Sequence, residues 1–180
     1  MFETESELAE LQRLMDSSFE KVAERMLVIY DKGERLSARQ LAGFRGIKLV
    51  AVASVNSKGE PRVAPRSVAF LHGRFYLAAN TKSTSVRRLR LNPAVAITYY
   101  ENHFLLMGHG KVAFLRKGEE AFAKVSPEWI RAFHGGRDAL EGEDLFLRFD
   151  ATHLVAFAQR PERYPEAWGK PDKEDQRSPS

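Results

Sequence analysis

The sequence predicts a mainly β, α+β fold, an antiparallel sheet with flanking helices and an N-terminal helical extension. Three observations carry this. Between residues 47 and 115, runs rich in Val, Ile, Ala, Phe and Tyr alternate with turns containing Gly or Asn, the pattern of strands joined by hairpins. On either side of that stretch, apolar residues recur at steps of three and four, the helical period. Two capping boxes, Thr4-Glu5-Ser6-Glu7 and Ser37-Ala38-Arg39-Gln40, mark helix starts, because each pairs a hydroxyl with a Glu or Gln three residues on.

The first helix opens at Thr4. Its stripe of Leu8, Leu11, Met15, Phe19, Val22, Met26 and Ile29 forms a packing face, lying on the sheet or on a partner subunit, and it ends near Asp31-Lys32-Gly33. Asp16-Ser17-Ser18 offers a break within it. The second helix is short, with Leu41 and Phe44 on one side, and Gly43 and Gly46 help it stop. Ile47 to Val55 is almost continuously apolar, as expected of a strand buried on both sides. Asn56-Ser57-Lys58-Gly59 turns the chain back, since Asn and Gly tolerate positive φ. In the return strand, Pro61 and Pro65 lack an N–H, so it lies at an edge or carries a bulge. Arg62, Arg66, Val68 and Phe70 share one parity along it.

His72-Gly73 closes the next hairpin, and Arg74 to Ala79 is a short strand. Then comes the polar loop Asn80-Thr81-Lys82-Ser83-Thr84-Ser85, followed by one or two helical turns, Val86 to Leu91, that stop at Asn92-Pro93. Ala94 to Tyr100 and His103 to Leu115 read as strands, with Gly108 and Gly110 marking a bulge or a close backbone approach. Lys117 to Val125 forms a helix with Ala121, Phe122 and Val125 inward. Ser126-Pro127 starts another, with Trp129, Ile130 and Phe133 apolar and Gly135-Gly136 at its end, and the pair covers an open edge. The last strands are Leu145 to Phe149 and Thr152 to Phe157, split near Asp150. The tail is rich in Pro and charge, and its end is expected to be disordered.

The 180 residues divide into a helical extension (1–36), a barrel domain (37–160) and a C-terminal segment (161–180). No apolar run approaches the roughly 18 residues of a membrane span, and the acidic N-terminus does not resemble a signal peptide, so a cytoplasmic protein is expected. Cysteine is absent, which excludes disulfides, thiolate catalysis and Cys-ligated metals. His103 and His109 have no carboxylate or second imidazole at ligand spacing, and no metal site is expected. The net charge of +4 is unevenly distributed: −4 over residues 1–36, +11 over 37–116 and −3 over the remainder. The middle stretch should therefore attract anions.

The loop at the centre of that basic stretch is suited to a phosphate. A helix start presents N–H groups, Lys82 and Arg87 supply charge, and Ser83, Thr84 and Ser85 supply hydroxyls. The order of elements resembles the pyridoxamine 5'-phosphate oxidase-like, FMN-binding split β-barrel family. The resemblance rests on Pro65-Arg66-Ser67-Val68, on Ser83 to Asn92-Pro93 with Leu89, and on Gly108-His109-Gly110-Lys111-Val112. It implies a six- to seven-stranded antiparallel split β-barrel that works as a homodimer with the cofactor between the subunits. It also implies that Arg66, Lys82, Ser83, Ser85 and Arg87 hold the cofactor phosphate, that Ser67, Val68, Asn80 and Thr81 flank its ribityl chain and ring, and that Trp168 reaches the cofactor of the neighbouring subunit. Ser85 stands where many members carry lysine, a departure that Lys82 and Arg87 are expected to offset.

Motifs for protein-borne catalysis are missing: there is no Gly-x-Ser-x-Gly, His-Glu-x-x-His or P-loop. If the chain is an enzyme, a bound redox ring carries the chemistry. The first reading is thus an FMN-dependent oxidoreductase acting on a small planar substrate. The alternatives on the same fold are an F420-dependent reductase and a haem-binding protein. A basic barrel that binds nucleic acid through charge and aromatic stacking ranks last. Pyridoxamine-phosphate oxidation itself is not expected, because Trp168-Gly169-Lys170-Pro171 matches the family's substrate segment poorly.

Overall fold

Six antiparallel strands close into a barrel in the order β1-β2-β3-β6-β5-β4. The computed structural model describes residues 3–22, 32–101, 103–132 and 145–164. The strands are β1 (Ile47–Val55), β2 (Pro61–Leu71), β3 (Arg74–Ala79), β4 (Ala94–Glu101), β5 (Phe104–Arg116) and β6 (Leu145–Ala158). Among the described residues, four α-helices surround them: α1 (Glu5–Phe19), α2 (Ala38–Leu41), α3 (Thr84–Leu91) and α4 (Glu120–Ala132). Among the described residues, no helix is long and apolar enough to cross a membrane.

The barrel is unevenly sewn. β5 pairs along its whole length with β6, and β4 along its whole length with β5. The β1–β2 hairpin pairs fully within itself, yet joins the rest through two short seams. One is Ala69, Phe70 and Leu71 with Tyr76, Phe75 and Arg74; the other is Ala51, Val52 and Ala53 with Thr98, Ile97 and Ala96. Pro61 and Pro65 lie in the part of β2 that has β1 on one side and no strand on the other, which is where a residue without an N–H costs least. The register along β1–β2 is unbroken, so the prolines need no bulge.

Side-chain parity sorts the core. Val68, Phe70, Phe75, Leu77 and Phe149 point into the barrel, while Ala69, Leu71, Tyr76 and Phe146 point outward under α4. α4 is one helix rather than the expected two, and it covers a sheet face rather than an edge. Pro127 cannot donate to Ala123 O, but the Ser126 hydroxyl does so at 3.4 Å, which keeps that carbonyl satisfied inside the helix. Phe122, Val125 and Trp129 are buried along it, whereas Ala121 is exposed. Phe133 and Gly135-Gly136 lie outside the described residues.

β6 is likewise continuous, with no split at Asp150. Its register against β5 shifts between His109 and Gly110, so Thr152 is the extra residue of a bulge. Gly110 is required there: a Cβ on it would stand 2.2 Å from Asp150 O. Beyond the reach of β3, the edge of β6 is covered from the N-terminal side. Leu154 N donates to Ser18 Oγ at 2.9 Å, and Leu36 N donates to Ala156 O at 3.0 Å. α1 therefore packs on its own barrel through Leu8, Leu11 and Met15, and it runs unbroken through Asp16-Ser17-Ser18. Both capping boxes form as expected, at Thr4 with Glu7 and at Ser37 with Gln40. The continuation of the stripe to Met26 and Ile29 lies outside the described residues.

β1 departs from expectation. Val50 is fully buried, but Leu49 beside it is 65% exposed, so only the inward side of this strand is covered. Val63, which faces outward on β2, is 70% exposed. The outer face of the hairpin is therefore apolar and uncovered.

Candidate functional site

A narrow cavity of about 30 Å³ opens at one end of the barrel, where α3 caps it. Its polar lining is Ser54 of β1, Arg66 of β2, and Ser85 and Arg88 of α3. Ala64, Leu77, Val112, Leu147 and Phe149 are among its apolar lining. Space of that size holds about one or two waters, so neither a large ring nor a whole phosphate group enters the barrel. Among the described residues, no acidic one lines it.

Local hydrogen bonding explains the shape of the rim. Asn80 Oδ1 accepts from Lys82 N at 2.9 Å, and Asn80 O accepts from Ser83 N at 3.0 Å, which folds the loop into an Asx turn. Ser83 then caps α3, its Oγ accepting from Val86 N at 3.2 Å and standing 3.2 Å from Ser85 Oγ. The first-turn N–H groups of Thr84 and Ser85 have no acceptor within the helix, and they lie at its positive end.

The helical period decides which side chains turn inward. Val86 and Leu89 are buried, Ser85 and Arg88 are half-buried on the flank facing the cavity, and Thr84, Arg87 and Arg90 are exposed. Arg88 Nε is buried and has no hydrogen-bond partner. The guanidinium of Arg66 makes one marginal contact, Nη2 to Ala78 O at 3.5 Å. The cavity thus combines two poorly satisfied guanidinium groups, two hydroxyls and a helix start, a donor set suited to an anion.

The described residues singled out from sequence fall into three groups. Arg66 and Ser85 meet at the cavity. Ser83, Asn80 and Thr81 build or flank the loop, and Lys82 and Arg87 are exposed at its rim, where Arg87 Nη2 donates to Thr84 Oγ1 at 3.3 Å. Ser67 lies outward, paired with Leu49, and the Val68 side chain is 1% exposed in the core, so neither shares the cavity with Arg66. Trp168 lies outside the described residues. Arg88 was not singled out, although its spacing of three from Ser85 and its place beside Leu89 were visible signals.

A second concavity of about 420 Å³ lies between α1, α4 and β3, and its arginines face carboxylates. Arg74 pairs with Glu10 at 2.9 Å and Asp150 at 3.2 Å, Arg148 pairs with Asp150 at 2.7 Å, and His72 stands between Glu7 at 3.3 Å and Glu128 at 2.7 Å. Burial acts to raise the Glu7 carboxyl, but the Thr4 N–H and the charge of His72 outweigh it and hold it below the ordinary value. Burial pushes the Tyr76 phenol above its usual value. This cluster fastens α1 to α4 and leaves little unmatched positive charge for an anion. His109 stacks on His153 with ring centroids 5.5 Å apart, and His103 sits in the β4–β5 turn with φ of 61°. Among the described residues, no three His, Asp or Glu side chains gather as metal ligands.

Comparison with known proteins bears on this arrangement. The family model for pyridoxamine 5'-phosphate oxidase matches residues 36–153. Among solved structures, a conserved hypothetical protein of Mycobacterium tuberculosis is similar at 16% identity and a TM-score of 0.62, covering 76% of this chain and 93% of that one. HutZ, described as a haem storage protein of Vibrio cholerae, is similar at 18% identity and a TM-score of 0.56, covering 69% and 97%. A protein described as an F420 reductase is similar at 18% identity and a TM-score of 0.50, covering 64% and 94%. At such identities the likeness shows the fold alone. No curated protein matches the chain by sequence.

Proposed function

The chain belongs to the pyridoxamine 5'-phosphate oxidase family, and from that premise we propose that it binds FMN as a homodimer and serves as an oxidoreductase for a small planar substrate. The observation that carries this reading is the meeting of Arg66 and Ser85 at one cavity under the start of α3. The donors present fit a phosphate, because the buried Nε of Arg88 lacks an acceptor and no carboxylate competes for it. Arg66, Ser85 and the N–H groups of Thr84 and Ser85 hold the phosphate outside the mouth of the cavity rather than within it. Ser83 and Asn80 hold the loop, and Lys82 and Arg87 add charge at the rim. FMN, when bound, supplies the redox chemistry, and the protein positions it.

The homodimer is supported by the uncovered outer face of β1 and β2. Leu49 and Val63 are exposed there, and Pro65 and the half-buried Ala51, Ala53 and Val55 share their side of the sheet. Contiguous apolar surface of this kind marks an interaction site. A second copy also supplies a wall for a ring that the barrel is too narrow to admit.

The cations around α3 favour a second reading. Lys82, Arg87 and Arg90 are exposed on α3 and the loop before it, in addition to the cavity arginines, more positive charge than one phosphate needs, and they suit the longer acidic tail of F420. The test is an absorption spectrum of the purified protein, identification of any released cofactor by mass, and separate titrations with FMN, F420 and haem. FMN is expected to bind at a stoichiometry of one per chain. A colourless protein that takes up no FMN overturns the first reading, and uptake of F420 or haem instead replaces it.

A further inference from the structure

We propose that the groove between α1 and α4 binds an uncharged small molecule with an apolar ring and one carbonyl oxygen, which accepts from the Tyr76 hydroxyl and from Nη1 of Arg148. This site shares no lining residue with the cavity under α3, and it stands whether or not the chain takes up FMN.

Two donors with nothing to donate to are set side by side here. Tyr76 lines the groove, yet the residue is only 5% exposed and its hydroxyl has no hydrogen-bond partner among the described residues. A phenol so deeply covered ordinarily finds a partner, because a buried O–H left without one forfeits the bond it made in water. Beyond burial itself, the charges acting on this phenol are those of Arg148, Arg74, Asp150 and Glu7, and Arg148, Arg74 and Glu7 line the same groove. The hydroxyl end of the side chain thus lies among the polar groups of the groove. Arg148 is the cross-strand partner of Tyr76, on the same face of the sheet, where opposite residues stand ~5 Å apart. Its Nε and Nη2 donate to Asp150 at 2.7 and 2.8 Å, which leaves Nη1 without an acceptor among the described residues. A carbonyl oxygen carries two lone pairs and can accept from both donors at once.

Charge decides the class of ligand. Around the groove Glu7, Glu10 and Asp150 stand against Arg74, Arg148 and Lys124, so the formal charges cancel. A carboxylate ligand would be repelled by Glu7 and Glu10, and an ammonium group has no lone pair to receive the two donors. An uncharged ligand leaves the balance as it is and gives up the least hydration on entering. Leu11 and Leu14 of α1, Leu115 of β5 and Ala121 of α4 provide an apolar wall for its ring. The volume of about 420 Å³ falls within the range of roughly 300–1,000 Å³ that small-molecule sites occupy.

The experiment titrates wild type, Tyr76→Phe and Ala121→Trp with benzamide, benzoate and benzylamine, three probes of one shape and different charge, followed by amide-resolved NMR. In wild type, benzamide is expected to shift Leu11, Tyr76 and Arg148 saturably, in the millimolar range of so small a probe, and more tightly than either charged probe. Tyr76→Phe should weaken benzamide about 2- to 10-fold, the worth of one neutral hydrogen bond. Its Tm should be no lower than that of wild type, since the lost hydroxyl has no partner within the protein. Ala121→Trp fills the groove from an exposed position and should abolish the shifts with circular dichroism unchanged. Absence of saturable shifts in wild type, shifts that map to Arg66 and Ser85 instead, or benzoate binding as tight as benzamide each overturns the proposal. Undiminished benzamide binding by either variant, or a Tm lowered by several degrees in Tyr76→Phe, does so as well. None of these outcomes bears on FMN uptake, which is tested separately.

Discussion

The two sides of this barrel solve the same problem differently. On the β4–β5–β6 side, long ladders satisfy the backbone, and both faces of β6 are covered, by core residues within and by α1 and α4 without. The β1–β2 hairpin is joined to its neighbours by three residue pairs at each seam, leaves the outer edge of β2 unpaired near Arg66, and exposes Leu49 and Val63. One side is finished as a monomer. The other presents a loose edge, an uncovered face and a cavity with orphaned cations. Sparse pairing to neighbouring strands and unmet binding capacity occur together, as they do where ligands and partners dock.

The largest expected effect lies on the finished side. In Gly110→Ala the new methyl would meet backbone, Asp150 O at 2.2 Å and Ala151 Cα at 2.8 Å, and backbone at a bulge cannot move aside as a flexible side chain can. A loss of about 3 kcal/mol or more is expected, read as a lowered urea midpoint or as insoluble expression. A midpoint within experimental error of wild type would show that the two ladders are not locked at this point.

On the hairpin side the fold should tolerate what the assembly does not. Leu49→Lys and Val63→Glu place charge on the exposed face, so circular dichroism should be unchanged while light scattering reports monomer in place of the proposed dimer. Burying such a charge unpaired costs about 3–5 kcal/mol, enough to weaken association more than 100-fold. If both variants remain dimeric, the second copy docks elsewhere, and the exposed face needs another explanation.

The same division separates what the sequence made legible from what it did not. The capping boxes at Thr4 and Ser37, the placement of Pro61 and Pro65 on an unpaired edge, and the close approach at Gly110 follow from local rules, and local rules operate over a few residues. β1 misled because its continuous apolar run describes a strand covered on both sides, and the structure covers it on one; periodicity reports what a strand must bury, not which chain buries it. Pro127 misled in the opposite direction, since the Ser126 hydroxyl restores the bond that proline removes. At the site, Arg66 and Ser85 could be named from motif and chemistry. Arg88 required the rotational phase of α3, which is fixed by burial of Val86 and Leu89 against the barrel. Arg87 drew attention as a charge near a loop, and only the packed helix shows that its neighbour faces inward.

Where α1 closes the edge of β6, a smaller effect is expected. Ser18→Ala removes the acceptor of the Leu154 N–H in a buried setting and should cost about 1–2 kcal/mol. Amide exchange should accelerate at Leu154 more than at residues of the β5–β6 ladder. Uniform acceleration along β6 would mean that α1 and the ladder open as one unit rather than separately.

The smallest expected effect is a pH dependence on the same side. Burial lowers the His153 pKa, and the nearby His109 and Lys21 lower it further, so the folded protein resists protonating this ring more than the unfolded chain does. With the folded value below the unfolded one near 6.5, the unfolded state binds the proton first as pH falls, and stability present above pH ~6.5 is lost toward the folded value. Tm should therefore decline as pH falls below ~6.5, before the carboxylate of Glu7, whose value is depressed from a much lower reference, begins to protonate. His153→Asn cannot take up the proton and should flatten the decline. An undiminished slope in that variant would assign the dependence to another group, and the stacked pair would then contribute packing alone.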